Sequence, residues 1–200
     1  VRYVAPDGVV RLGMIALSTD LTSERDAWRY LPADRAALHV ARVRFDNPST
    51  PENLAKVGPR LSAAAGLILP EVPLAAVAFA CTAASVAIGD GAVTAAIAAG
   101  LPGVPVVTPP DAAVAGFAAL GTGRIGLLTP YLEETTAPMV DYFVGRGQRS
   151  LEVYSSDGLA SDRRRALAER SMQLQATVQE SALTLSSDRG SVHIEPLRWK

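Results

Sequence analysis

Hydrophobic and polar positions along this chain fall into short apolar runs separated by segments of helical periodicity. Residues 12–17, 38–45, 75–80 and 104–107 read as strands, and the stretches between them as helices. That alternation predicts a parallel sheet covered by helices. Thr50-Pro51-Glu52 supplies a capping hydroxyl and a proline at the first helical position, predicting a helix that runs to about residue 65. A second helix is expected over about 85–99, stopping at Gly100, and a short one over 111–120, ending at Gly121.

The pattern then restarts. Residues 124–130 open Arg-apolar-Gly, as residues 11–17 do, which points to an internal duplication. The helix expected over 133–144 places Leu132, Thr136, Met139, Val140, Phe143 and Val144 along one face, and Gly145 and Gly147 end it. Residues 151–154 read as the next strand. Beyond about residue 155 the character changes. Residues 162–180 are rich in Arg, Gln and Ser, with a thin apolar stripe of Leu167, Leu174 and Val178 interrupted by Ser171. Only residues 192–194 suggest a strand after that, and 186–190 carry a loop signal. The expected organisation is an N-terminal α/β half over residues 1–121, the start of a second α/β half over 122–163, and an atypical segment over 164–200.

Composition narrows the chemistry. The chain is 48% hydrophobic with few aromatics, so its core is built from Ala, Val, Leu and Ile. A net charge of −1 gives no electrostatic case for nucleic acid or an anionic membrane. One cysteine excludes an internal disulfide and fits a reducing, cytoplasmic setting. The longest apolar region, around 74–89, is short and rich in alanine for a membrane span. The two histidines, His39 and His193, are not clustered with cysteine, so no metal site is expected. His39 lies in an alternating run and reads as a solvent-side strand residue. No Gly-x-Gly-x-x-Gly run follows the first strand, and Gly121-Thr122-Gly123 precedes a strand, which leaves a nucleotide site without support.

Cys81 closes the apolar run Ala75-Ala76-Val77-Ala78-Phe79-Ala80 and precedes small residues that look like a helix start. Unpaired backbone N–H groups and the positive end of a helix dipole converge at such a position. They stabilise a thiolate and bind carboxylates. The plainer reading is a buried cysteine acting as a small hydrophobe. Asp20, Thr22 and Glu24 form a polar loop after the first strand, where ligands bind in such folds and ordinary loops also sit. Thr82 suits an N-cap, and Tyr131 suits a packing residue with a wet hydroxyl.

Four segments stand out together: Arg11-Leu12-Gly13 through Ser18-Thr19-Asp20-Leu21-Thr22-Ser23-Glu24-Arg25; Asn47-Pro48 with Thr50-Pro51-Glu52-Asn53-Leu54; Ala80-Cys81-Thr82-Ala83-Ala84-Ser85-Val86-Ala87-Ile88-Gly89; and Leu127-Leu128-Thr129-Pro130-Tyr131. Together they resemble the aspartate/glutamate racemase superfamily, in the branch of maleate cis-trans isomerase, arylmalonate decarboxylase and the ectoine-utilisation protein A family. Thr22-Ser23-Glu24-Arg25 and Ile88-Gly89 lean toward the ectoine-utilisation branch. The resemblance covers about residues 8–163. It implies two pseudo-symmetric Rossmann-like halves with parallel sheets clasping a small carboxylic or dicarboxylic acid, without metal or organic cofactor. Cys81 would be nucleophile or base. Thr82, Ala83, Ala84 and the hydroxyl of Tyr131 would hold the carboxylate and the charge that develops on it. Asp20 stands where the maleate isomerase pattern has asparagine. It would either repel a carboxylate or bind an amine or amide.

The family pattern has a second cysteine in the C-terminal half, and no cysteine follows Cys81 here. The resemblance also fades after Leu159-Ala160-Ser161-Asp162-Arg163. A shifted reading frame or an aberrant gene end past residue 163 would produce that break; a diverged tail is the other explanation. An incomplete second half is expected to expose Ile125, Leu127 and Val153. The expected function is a cofactor-independent isomerase, racemase or decarboxylase-like enzyme, impaired by the missing thiol. The alternative is a non-catalytic carboxylate-binding or regulatory homologue. A homo-oligomer is compatible with either.

Overall fold

The first apolar run becomes a strand, β1 (Val10–Leu17), whose central Met14, Ile15 and Ala16 are buried. This computed structural model describes residues 8–154, 183–187 and 190–194. The chain divides into two compact units, Val1–Ala115 and Gly116–Lys200.

In the first unit β1 is followed by α1 (Ser23–Tyr30), β2 (Ala36–Val43), α2 (Pro51–Ala55), a 3-10 turn (Gly58–Arg60), α3 (Leu61–Ala65), β3 (Ala76–Phe79), α4 (Thr82–Ile88), α5 (Asp90–Gly100) and β4 (Val106–Val107). The strands form a parallel sheet in the order β2-β1-β3-β4. The chain steps outward from β1 to β2, then crosses back over β1 to β3. With right-handed crossovers this places α1 on one face and α2 to α5 on the other. The core lies on the second face, where Ile15, Leu54, Val57, Leu61, Val77, Phe79, Val93 and Ile97 are sealed from solvent. Fully burying one such aliphatic or aromatic side chain contributes about 1.5–3 kcal/mol.

Two expected helices are broken. The one expected from Thr50 to residue 65 is capped as predicted, with Thr50 Oγ1 accepting from the Asn53 N–H at 3.3 Å. It stops at Ala55, and the Gly58-Pro59 pair turns the chain through the 3-10 segment before α3. The one expected over 85–99 starts earlier, at Thr82, and bends by 99° between α4 and α5. Gly89 makes that break with φ +88°, a conformation that L side chains rarely adopt. Where α3 meets α5 the backbones touch: a Cβ on Gly100 would overlap the Ser62 carbonyl oxygen and lie 2.9 Å from the Gly66 nitrogen.

α6 (Pro109–Ala119) carries the chain into the second unit. There β5 (Arg124–Leu128), α7 (Glu133–Gly145) and β6 (Arg149–Tyr154) repeat the strand–helix–parallel-strand order of the first unit. Met139 and Phe143 of α7 are buried, and Phe143 meets Phe117 edge to face with ring centroids 6.1 Å apart. Ile125, expected to be exposed, is buried, because strand alternation turns it inward; Leu127 is half-buried and Leu128 is exposed. The side chain of Val153 and the helix expected over 162–180 lie outside the described residues. β7 (Leu183–Ser187) and β8 (Gly190–Ile194) pair antiparallel as a separate sheet, so a strand precedes the loop signal where none was expected.

Candidate functional site

In an open parallel sheet, ligands bind beyond the carboxyl ends of the strands, where the strand order reverses. Here that point lies between β1 and β3. Asp20 follows the end of β1, and Cys81 follows the end of β3.

Cys81 is itself the N-cap of α4, a role that sequence reasoning gave to Thr82. The Ala80 N–H donates to the Ile15 carbonyl at 2.9 Å, tying the strand end to β1. The chain then turns into α4, and Cys81 Sγ accepts from the Ala84 N–H at 3.4 Å. Both the Ser85 N–H, at 3.0 Å, and Ser85 Oγ, at 2.7 Å, donate to the Cys81 carbonyl. Ala83, Ala84 and Ser85 are buried, Thr82 is half-buried, and Cys81 is 9% exposed.

The thiol is not acidified. Burial pushes the Cys81 thiol above its ordinary range. The N–H groups of Ala84 and Ala83 pull the other way, and the Asp20 carboxylate pushes it up again. Desolvation of a thiolate outweighs amide donors from so short a helix. The expectation of a ready thiolate is therefore corrected: in this arrangement Cys81 is a protonated thiol at neutral pH. The Ala84 amide, expected to meet a carboxylate, donates to sulfur.

Asp20 is committed to α1. Its Oδ1 accepts from the N–H groups of Thr22 at 2.8 Å and Ser23 at 2.9 Å, and its Oδ2 accepts from Ser23 Oγ at 2.6 Å. Burial raises its pKa, but these donors and the charge of Arg42 outweigh it and hold the carboxyl below the ordinary value. It is an ionised group felt at the sulfur of Cys81.

Arg42 escaped sequence reasoning because it sits in an ordinary alternating strand. Its guanidinium donates to the carbonyls of Leu17 at 3.2 Å and Asp20 at 2.9 Å, and to Glu24 Oε1 at 2.7 Å. Ser18 is a second such residue: its hydroxyl accepts from the Phe45 N–H at 3.0 Å and joins the ends of β1 and β2. At β4, buried Thr108 donates to Asp90 Oδ1 at 3.0 Å. His39, expected to face solvent, is half-buried, and its Nε2 has no partner among the described residues. It pairs in register with Gly13, whose missing side chain leaves room; a methyl there would sit 3.0 Å from Val77 Cγ2.

The structure thus brings Asp20, Cys81, Thr82, Ala83 and Ala84 to one edge of one sheet. Tyr131 belongs to the second unit, half-buried just before Leu132, the N-cap of α7. Nearby, Thr129 and Thr136 share a buried 2.6 Å hydroxyl contact. No group of three or more His, Cys, Asp or Glu side chains among the described residues could hold a metal ion. No single helix among them is long and apolar enough to cross a membrane; the α4–α5 pair passes on length and composition only when joined across its bend.

No protein-family profile and no curated protein matches the chain. Solved structures do: they are maleate isomerases and arylmalonate decarboxylase, whose fold the chain shares. The chain is similar to a mutant Nocardia farcinica maleate cis-trans isomerase carrying a covalently bound succinylcysteine intermediate. That match has 22% identity and a TM-score of 0.65, covering 82% of this chain and 73% of that one. The maleate isomerase Iso from Pseudomonas putida S16 matches at 24% identity and a TM-score of 0.57, over 74% of this chain and 64% of that one. A double mutant of arylmalonate decarboxylase in a liganded form matches at 23% identity and a TM-score of 0.58, over 74% of this chain and 62% of that one. The chain therefore spans less than two thirds of the length of some of these enzymes.

Proposed function

We propose that this chain derives from a cofactor-independent enzyme that acts on a small carboxylic or dicarboxylic acid through Cys81. Maleate-type isomerisation is the nearest chemistry, and ectoine breakdown is its setting. The observation that carries this is the place of Cys81: the cap of a helix, at the switch point of a sheet whose structural neighbours include an isomerase trapped as a succinyl-cysteine.

The chemistry needs one sulfur. Once Cys81 loses its proton to solvent, the thiolate forms a C–S bond to one alkene carbon of a cis-dicarboxylate. The π pair moves to the neighbouring carbon and spreads into its carboxylate. Rotation about the new single bond follows. The pair then re-forms the double bond, the C–S bond breaks, and the trans acid leaves with no net redox change. The Thr82 hydroxyl and the amides at the start of α4 are the first unit's donors for the carboxylate. The resemblance assigns a carboxylate contact to the Tyr131 hydroxyl as well.

Deprotonation is the difficult step, because burial and Asp20 both oppose it. Asp20 is a poor proton acceptor, being already held by three donors. A facing thiol would relieve this, and the chain has none. General acid–base work by such a group is worth about 10²–10⁴ in rate, so turnover by this chain is slow.

Proton NMR of maleate incubated with the protein tests the proposal. Slow appearance of the trans acid, abolished by Cys81→Ser, is expected. Equal conversion by both proteins would refute a role for the sulfur.

A further inference from the structure

We propose that Arg42 is a positioning residue: its guanidinium, bridging the carbonyls of Leu17 and Asp20 to the Glu24 carboxylate, fixes the β1–α1 turn so that the charge of Asp20 stays beside Cys81. The inference deepens the proposed function and rests on Cys81 being its reactive group.

Register places the parts. Arg42 pairs with Ala16, one residue before the end of β1. Strand alternation puts both on the face opposite Gly13, whose open side meets Ile68 and Val77, so the guanidinium emerges toward α1. From there it reaches the last carbonyl of β1, the carbonyl of Asp20 and a carboxylate in the first turn of α1. Ile15 pairs with Phe79 on the other side, so Cys81, two residues on, lies level with Leu17, and the Asp20 N–H closes the turn onto the Leu17 carbonyl at 3.0 Å. One rigid turn thus connects Arg42 to the flank of Cys81.

Stability alone accounts poorly for this arrangement. Arg42 and Glu24 are 41% and 38% exposed, and ion pairs that open to water add little. A planar guanidinium that satisfies three acceptors from two elements fixes geometry instead. Among the described residues, the charged groups bearing on Cys81 are Asp20 directly, and Arg42 with Glu24 through it.

The test is a double-mutant cycle on the alkylation of Cys81 by iodoacetamide across neutral to alkaline pH, without substrate. Asp20→Asn keeps an acceptor for Thr22 and Ser23 but removes the charge. In the wild-type background it should lower the thiol's apparent pKa, making alkylation about threefold faster below that value. In the Arg42→Gln background the same change should alter the rate by less than about 1.5-fold. The cycle cancels the loss of Arg42's own charge. If Arg42→Gln does not fold, Arg42→Lys keeps the charge and loses the planar fork, and the Asp20→Asn effect should shrink there too. An equal acceleration in every background, or none in the wild type, overturns the proposal. The measurement contains no carboxylic acid, so its failure is distinguishable from failure of the isomerase test.

Discussion

A protonated thiol at a helix N-terminus has a definite pH signature. Because burial raises the Cys81 pKa in the folded chain, folding favours the neutral thiol. The resulting stability is fully present below the unfolded thiol's pKa and is lost as pH rises through the folded value. The urea midpoint should therefore fall on going alkaline, and Cys81→Ala should flatten that fall; an unchanged slope would show that the thiol does not titrate. Asp20 has the opposite sign. Its carboxyl is held below the ordinary value, so its contribution is present above the unfolded pKa, about 3.9, and disappears as pH falls through the folded one. Asp20→Ala should cost about 1 kcal/mol near neutral pH, by loss of the acceptor that serves Thr22 and Ser23, while Asp20→Asn should cost less. The position of Cys81 was legible in sequence because an apolar run followed by small residues marks a strand-to-helix turn. The direction of its pKa shift was not, because burial and the charge of Asp20 arise from segments far away in the chain.

At the scale of elements, the parallel strands of the first unit were legible from their apolar runs, and the interruptions between helical segments were not. Gly58-Pro59 and Gly89 each end a segment whose periodicity continues past them. α1 escaped because Ser-Glu-Arg-Asp-Ala-Trp-Arg-Tyr has no apolar stripe. None of its residues is buried, and Trp28 and Tyr30 stay exposed. It forms where Asp20 accepts from its first amides and Glu24 meets Arg42. The α3–α5 contact is the tightest point of the core face. Gly100→Ala should destabilise the protein by about 1–3 kcal/mol in urea denaturation, because backbone has to shift. Leu61→Ala, which removes a sealed side chain from the same helix pair, should cost about 2–5 kcal/mol. A change within a few tenths of a kcal/mol at either site would contradict the packing.

Across the whole molecule, the two units differ in how much sheet their described residues form. The first has four parallel strands; the described residues of the second hold a parallel pair and an antiparallel pair. Among the described residues, the β5–β6 pair shields fewer backbone hydrogen bonds from water than the four-stranded sheet of the first unit. Hydrogen exchange should therefore find the amides of β1 and β3 exchanging last, with those of β5 opening through a lower-energy event. Uniform protection would mean that the units unfold as one. The repeat of strand, helix and parallel strand was legible from Arg-apolar-Gly at residues 11–13 and 124–126. The strand at Leu183–Ser187 was not, because its neighbours carry loop signals and little apolar pattern. The proposed function rests on Cys81 meeting an anionic organic acid. Iodoacetamide alkylation of Cys81 at mildly alkaline pH, with and without excess maleate, tests this most directly. Maleate should slow the modification in a saturable way and leave part of the protein heavier by one dicarboxylate at Cys81. Alkylation at the same rate in both solutions, with no adduct on the peptide, would contradict it.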